Sequence, residues 1–314
     1  MFTLLAVAPP PDTALLPTHQ LSEATSEHPM ASAVWHEADF IPIARDSGFN
    51  TFVARADARI WFLEADDIDQ QNALFARLAH WLGVIADANA PLPSADEIRA
   101  WSRQTGADPR WQWIGHDYQM SEVRAFFYRA ETDGVVLNTA EQLLRARLDA
   151  LGLLTDTVRD GVLIAVPRAS TTPHPARLTL AQQRALLRHE LSHAEFYLNP
   201  SYRAYCLEFW ARLMPEVRTV IRERFGRWCY DIDDTERLAN ELQAYLFEQE
   251  MGIWLDLDLR PTGISLAALR EEFLAGLDAL GTPTARFFQN LAYRQPLARG
   301  NGWNEDQSLR KISQ

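Results

Sequence analysis

Two histidines, His189 and His193, lie four residues apart, and Glu190 directly follows the first of them. Residues four apart on a helix project from one face, so both imidazoles can reach a single metal ion. Glu190 is rotated by about 100° from His189 and would lie beside that ion, where a carboxylate can accept a proton from an activated water. The spacing therefore predicts a zinc site on a helix, with Glu190 as the general base.

The element that must position these residues is a helix with clear boundary signals. Thr179 and Gln182 form a capping box that predicts a helix start at about Leu180, and Pro200 prevents its continuation. Apolar residues recur along it and predict a largely buried helix: Leu186, Leu187, Leu191, Ala194 and Leu198. Unpaired histidines and a glutamate are costly in that setting, which favours a metal site over a polar surface patch or hydrogen-bonded core histidines.

A third ligand is expected, because zinc sites with an open catalytic position usually have three protein ligands. The other six of the eight histidines precede the motif, so the third ligand is expected to be a carboxylate downstream. Segment 233–251 has helical periodicity, and Glu241 lies at the margin of its apolar face whereas Glu236 points to the opposite side. A carboxylate turned toward a core must be paired or coordinated, which favours Glu241, with Glu236 and Glu248 as alternatives.

The motif HELSH, followed 48 residues later by Asn240-Glu241-Leu-Gln-Ala, resembles the gluzincin branch of the zincin metallopeptidases. The third zinc ligand of that branch is a glutamate on a second helix. The resemblance covers roughly residues 160–250. It implies a zincin-like fold, in which a twisted sheet packs on the active-site helix and the C-terminal half is largely helical.

The same resemblance implies hydrolysis of a peptide or protein substrate with Zn²⁺ as the cofactor. His189, His193 and Glu241 would bind the ion, and Glu190 would act as general base. The family often has a downstream histidine or aspartate as an oxyanion donor or as a hydrogen-bond partner of a zinc ligand, but no histidine follows His193 here. Tyr245 is taken as the candidate catalytic donor, and the remaining candidates are Tyr230, Tyr202 and His116.

Two functional hypotheses follow from this site. The first is a zinc-dependent metallopeptidase, and the alternative is a non-catalytic regulatory or partner-binding protein on a zincin scaffold. Glu190 favours the enzyme, because a zinc ion with a purely structural role needs no base beside it.

Composition excludes several other classes of protein. The chain has 314 residues, a formal charge of -12 and no run of Lys or Arg that could neutralise a phosphate backbone, which argues against nucleic acid as a partner. No apolar run approaches the roughly 18 residues that span a bilayer, so no transmembrane segment is expected. The triplet Ala6-Val7-Ala8 resembles an export cleavage site but lacks a preceding basic residue. A cytoplasmic location is the default expectation, with export if the true start lies upstream.

Along the chain we expect an α+β protein in four regions. Residues 1–35 form a poorly ordered lead-in, 36–158 an N-terminal α+β region, 159–300 the zincin-like catalytic region and 301–314 a polar tail. The two cysteines, Cys206 and Cys229, are expected to be buried thiols or one disulfide.

Residue patterns also predict the individual elements. Strands are expected over 51–55, 59–64, 123–128, 134–137 and 161–167, and helices over 74–85, 94–101, 139–152, 179–198, 201–225 with a break at Pro215, 233–251, 265–280 and 284–292. The strand at 161–167 is expected to be either a substrate-aligning edge strand or an internal strand. The tryptophans are expected to be core residues and are given no function.

Overall fold

A computed structural model describes residues 40–280, except 55–56, 86–89, 107, 109–112, 156–159, 171, 173–175, 229, 247–258 and 260–261. The predicted lead-in, the helix at 284–292 and the polar tail lie outside the described residues. The described chain combines one five-stranded sheet with a larger number of helical residues. The predicted combination of a sheet with a largely helical C-terminal half is therefore confirmed.

The strands are β1 (Phe40–Asp46), β2 (Phe49–Ala54), β3 (Ile60–Ala65), β4 (His116–Gln119) and β5 (Val162–Pro167). The α-helices are α1 (Ile68–His80), α2 (Ala95–Thr105), α3 (Met120–Thr132), α4 (Thr139–Ala150), α5 (Leu180–Leu198), α6 (Pro200–Arg212), α7 (Pro215–Arg227), α8 (Thr235–Leu246) and α9 (Leu266–Ala279). The sheet order is β1-β2-β3-β5-β4, with β3 and β5 parallel and the other neighbours antiparallel.

Strand β5 lies inside the sheet and is buried along its whole length. Val162, Ile164 and Val166 pack into the core that contains α5, whereas Leu163 and Ala165 pack into the core on the opposite face. Burial on both faces explains the continuous apolar run, because alternate side chains of a strand point to opposite faces. The edge-strand alternative for 161–167 is therefore wrong, and the edge position beside it belongs to β4.

Helix α5 carries the histidine motif and packs on β5 and β4. Its predicted capping box is present, with the Thr179 side chain accepting a hydrogen bond from the Gln182 backbone. Asn199 ends α5 and caps α6, which begins at Pro200, so the proline that stops one helix starts the next. Helix α8 then packs against both α5 and α6, which brings a second helix alongside the motif.

Two predicted strands are wrong. Residues 123–128 belong to α3, where the buried side chains recur with helical spacing at Val123, Phe126, Phe127 and Ala130. Residues 134–137 follow a left-handed turn at Gly134 and form no strand. The predicted hairpin of 51–55 and 59–64 is confirmed as β2 and β3.

The predicted regions 36–158 and 159–300 share one sheet, because β5 of the second region pairs with β3 and β4 of the first. Cys206 is buried with a free thiol, and Cys229 lies outside the described residues. Within the described part of the chain, no helix is long and apolar enough to cross a membrane.

Candidate metal centre

Three side chains from two helices meet in a cavity between β4, α5 and α8. The Oε2 atom of Glu241 lies 3.8 Å from Nε2 of His189 and 3.8 Å from Nε2 of His193. Ligand atoms at about 2.0–2.2 Å from one zinc ion are roughly 3.4 Å apart in tetrahedral geometry and at most about 4.4 Å apart. The three side chains therefore leave space for a single ion between them.

The donor atoms suit a cation chemically. The Glu241 side chain is 14% exposed, and its Oε2 atom has no hydrogen-bond partner among the described residues. Burial and the neighbouring charge of His193 lower the pKa of His189 well below its usual value, which leaves a neutral imidazole with a lone pair. Burial opposes protonation of His193, but the charges of Asp117 and Glu241 outweigh it and raise the pKa of His193. A bound cation would satisfy the orphaned oxygen and replace that proton.

A hydrogen-bond chain behind His193 fixes its ring. The Nδ1 atom of His193 lies 2.9 Å from Oδ1 of Asn240, which also accepts from Nε2 of Gln243 at 3.1 Å. The buried hydroxyl of Tyr202 donates to Oε1 of Gln243 at 2.6 Å. The Asn240 amide oxygen can only accept hydrogen bonds, so a neutral His193 carries its proton on Nδ1. The lone pair on Nε2 of His193 then faces Glu241.

Two tyrosines close the cavity beside His189. The ring of Tyr245 contacts the His189 ring edge to face, with centroids 4.7 Å apart, and its hydroxyl lies 3.1 Å from the Tyr230 hydroxyl. Burial raises the pKa of Glu241, while the charge of His193 and a hydrogen bond from Tyr230 act in the opposite direction. Both hydroxyls are therefore near the ligand set.

Other candidates from the sequence are not part of this ligand set, although Glu236 and His116 also line the cavity. Glu236 pairs with Arg203 at the surface of α6 and α8, and Glu248 lies outside the described residues. Tyr202 supports Gln243 rather than the ligands. His116 is buried against Phe75 with its Nδ1 atom 2.8 Å from the Tyr118 hydroxyl, and burial lowers its pKa to about 3.

Glu190 is buried next to the backbone that leads into β4. A Cβ atom on Gly115 would lie 1.9 Å from Oε1 of Glu190, so the absence of a side chain there makes room for the carboxylate. Asp117 on β4 approaches the same region, and ligand atoms of Asp117, Glu190 and His193 lie within 4.8 Å of one another. The pKa of Tyr197 is raised by burial and by a hydrogen bond with Asp117.

Asp117, Gly115 and Gln243 lie at the site but were not predicted from the sequence. Asn240 was visible in the motif but was given no role. For Gln243, the spacing of three residues from Asn240 on one helix was the available signal. No such signal existed for Asp117 and Gly115. Asp117 lies in a four-residue polar strand, and Gly115 directly precedes that strand.

Comparison with protein-family models, with curated proteins and with solved structures finds no match.

Proposed function

We propose that the chain is a zinc-dependent metallopeptidase with a zincin-like arrangement of sheet and active-site helix. The observation that carries the proposal is the Glu241 Oε2 atom, which lies 3.8 Å from Nε2 of both His189 and His193 and has no hydrogen-bond partner within the described part of the chain. Two imidazoles and one carboxylate are the donor set of catalytic zinc sites that retain an open position.

The residues around this set have distinct roles in hydrolysis. Zinc, when bound, supplies the Lewis acidity that makes water nucleophilic at neutral pH. Glu190 accepts the proton of the attacking water and passes it to the leaving amine. Tyr245 offers its hydroxyl proton to the carbonyl oxygen as it becomes negative. Tyr230 donates its own proton to Glu241, and burial keeps the pKa of Tyr230 well above its usual value.

An extended substrate has a place to bind along β4. Among the described residues, β4 pairs only with β5, and its residues His116, Asp117 and Tyr118 line the cavity that holds the candidate ligands. The exposed edge of a strand can bind an extended peptide as an additional strand. We therefore propose that β4, rather than the strand at 161–167, is the edge strand that aligns the substrate.

The proposal predicts that the purified protein cleaves peptides from a mixed library only while it holds zinc. Removal of the ion by a chelator is expected to abolish cleavage, because the remaining residues cannot activate water at neutral pH to the same extent. Mass spectrometry of the library, with parallel measurement of protein-bound zinc, tests this.

A second prediction concerns the clearance between Gly115 and Glu190. In Gly115→Ala, the new Cβ would lie 1.9 Å from Oε1 and 2.7 Å from Cδ of Glu190, so the carboxylate must move. We expect kcat/KM for peptide cleavage to fall on the order of 10- to 100-fold, because displacement of a catalytic group by about 1 Å has costs of this size.

Stability and zinc content should change little in Gly115→Ala, because the nearest atoms are the ends of the Glu190 and Leu186 side chains. Gly226→Ala on α7 is the matched control, since Gly226 does not line the cavity and, among the described residues, a Cβ there meets only the Ile232 side chain, at 3.2 Å. An unchanged kcat/KM for Gly115→Ala would show that Glu190 is not held in place by this contact.

A further inference from the structure

The cavity that contains the candidate ligands has a second, apolar end. Its volume is about 550 Å³, which is in the range of small-molecule and peptide side-chain sites. One end is lined by the metal-ligand candidates and Glu190. Beyond the start of β4, the apolar end is lined by Ala79, Leu82, Gly83, Val84, Trp101 and Trp113.

Two tryptophans form the wall of this end. The rings of Trp101 and Trp113 stack with centroids 5.2 Å apart and an interplanar angle of 11°. The buried His80 meets both rings edge to face, at 5.2 Å and 6.0 Å between centroids. Both tryptophans are only partly buried and belong to neither core, so the prediction that the tryptophans are core residues is wrong for this pair.

A stretch of π-helix lines the same end of the cavity. Residues Trp81–Ile85 continue α1 as a π-helix, a form that occurs mostly as short segments and often at functional sites. Val84 is 39% exposed, and a Cβ on Gly83 would meet no atom of the described residues within 4 Å. Among those residues, nothing therefore fills the space beside Gly83, which can receive a ligand.

The apolar end lies close to the proposed general base. Gly115 is in contact distance of Glu190, and Trp113 precedes Gly115 by two residues, which separates their Cα atoms by at most about 7 Å. An extended peptide advances about 3.4 Å per residue. A side chain that contacts Trp113 therefore belongs to a residue within about two positions of the peptide bond held beside Glu190.

We propose that Trp101 and Trp113, with Leu82 and Val84, bind an aromatic or bulky aliphatic side chain within about two residues of the scissile bond and determine specificity. This inference rests on the proposed function and names its substrate class. The apolar lining of this end favours burial of an apolar side chain, and aromatic rings gain further from stacking or edge contacts with the tryptophans.

The test compares two capped pentapeptides, one with a central phenylalanine and one made of alanine alone, beside an unbiased peptide library. For the wild type, we expect library cleavage sites to share an aromatic or large aliphatic residue at one position. We also expect kcat/KM to favour the phenylalanine peptide at least about 10-fold, in the range that apolar pockets discriminate.

In Trp113→Ala this preference is expected to fall below about 3-fold, whereas Tyr128→Ala, which removes an aromatic ring that is 73% exposed outside the cavity, should retain it. Gly83→Trp is the second variant, because it fills the open space without removing a packed side chain. It should shift the library preference toward small residues. Retention of the wild-type preference in folded Trp113→Ala or in Gly83→Trp would overturn the inference.

A binding measurement separates this inference from the proposed function. Calorimetric titration of the Glu190→Gln protein with the same two pentapeptides needs no cleavage. At least about 10-fold tighter binding of the phenylalanine peptide, lost in the double variant with Trp113→Ala, would support the subsite even if the wild type cleaves nothing. Cleavage without any side-chain preference, and equal binding of both peptides, would leave the peptidase in place and refute the subsite.

Discussion

Glu190→Gln is expected to lower peptide cleavage by at least about 10²-fold, the usual scale of general acid–base catalysis. Glutamine retains the size and hydrogen-bonding reach of glutamate but cannot accept the proton of the attacking water. Glu190 does not belong to the proposed ligand set of His189, His193 and Glu241, so zinc content and thermal stability should remain near those of the wild type. The measurement is kcat/KM on a library peptide, with zinc content and melting temperature determined on the same samples.

The matched control for this variant is Glu131→Gln. Glu131 is 68% exposed and pairs with Arg145 away from the cavity, so its neutralisation should leave cleavage unchanged. Equal rates for wild type and Glu190→Gln would show that Glu190 is not the base. Absence of cleavage in both proteins, combined with equal affinity for the same partner, would favour the non-catalytic scaffold.

Glu241→Ala is expected to weaken zinc binding by more than about 100-fold. Loss of a residue that only hydrogen-bonds to a zinc ligand already weakens binding by about 10- to 100-fold. The variant removes one of three proposed ligands and the only carboxylate among them. Glu236→Ala, on the same helix, should bind zinc nearly as tightly as the wild type, because Glu236 pairs with Arg203 at the surface. Competition titration against a chromogenic zinc chelator measures both affinities.

The opposite ranking of these two variants would show that the wrong glutamate is assigned to the zinc ion. Wild-type affinity in both variants would show that the carboxylate ligand, if there is one, comes from another part of the chain. His189→Ala measured in the same titration gives the size of the effect expected when a ligand is lost.

The sequence made the histidine helix predictable because its signals are local. The Thr179 capping box, the stop at Pro200 and the spacing of His189 and His193 depend only on helix geometry. The choice of Glu241 over Glu236 depended on one further step, the phase of an amphipathic helix, and the structure brings Glu241 to the histidines. Two other donor candidates, Tyr202 and His116, are hydrogen-bonded to Gln243 and Tyr118, and these contacts depend on tertiary packing rather than on local sequence signals.

Strand β4 could not be predicted from its own residues. His116–Gln119 is short and polar, and its place in the sheet comes from pairing with β5 more than 40 residues later. The roles of Asp117 and Gly115 depend on that pairing and were invisible for the same reason. For α3, a strand was predicted where the structure has a helix. The aromatic run at 123–128 suits a strand by composition, but the buried residues of this segment recur with helical spacing.

The position of β5 shows the same limit of local reasoning. Its apolar sequence predicted a strand correctly, but whether it forms the edge or the interior of the sheet depends on β3 and β4. The part of the site on α5 can therefore be predicted from local sequence signals, whereas the part on β4 depends on pairing between distant segments of the chain.

Zinc-dependent cleavage is the most direct test of the account. One protein preparation is assayed against the peptide library as purified, after complete removal of zinc by a chelator, and after return of one equivalent of zinc per chain. A zinc-dependent peptidase should cleave the library in the first and third states and not in the second. Cleavage that persists in zinc-free protein, or no cleavage with one zinc bound per folded chain, would contradict that function.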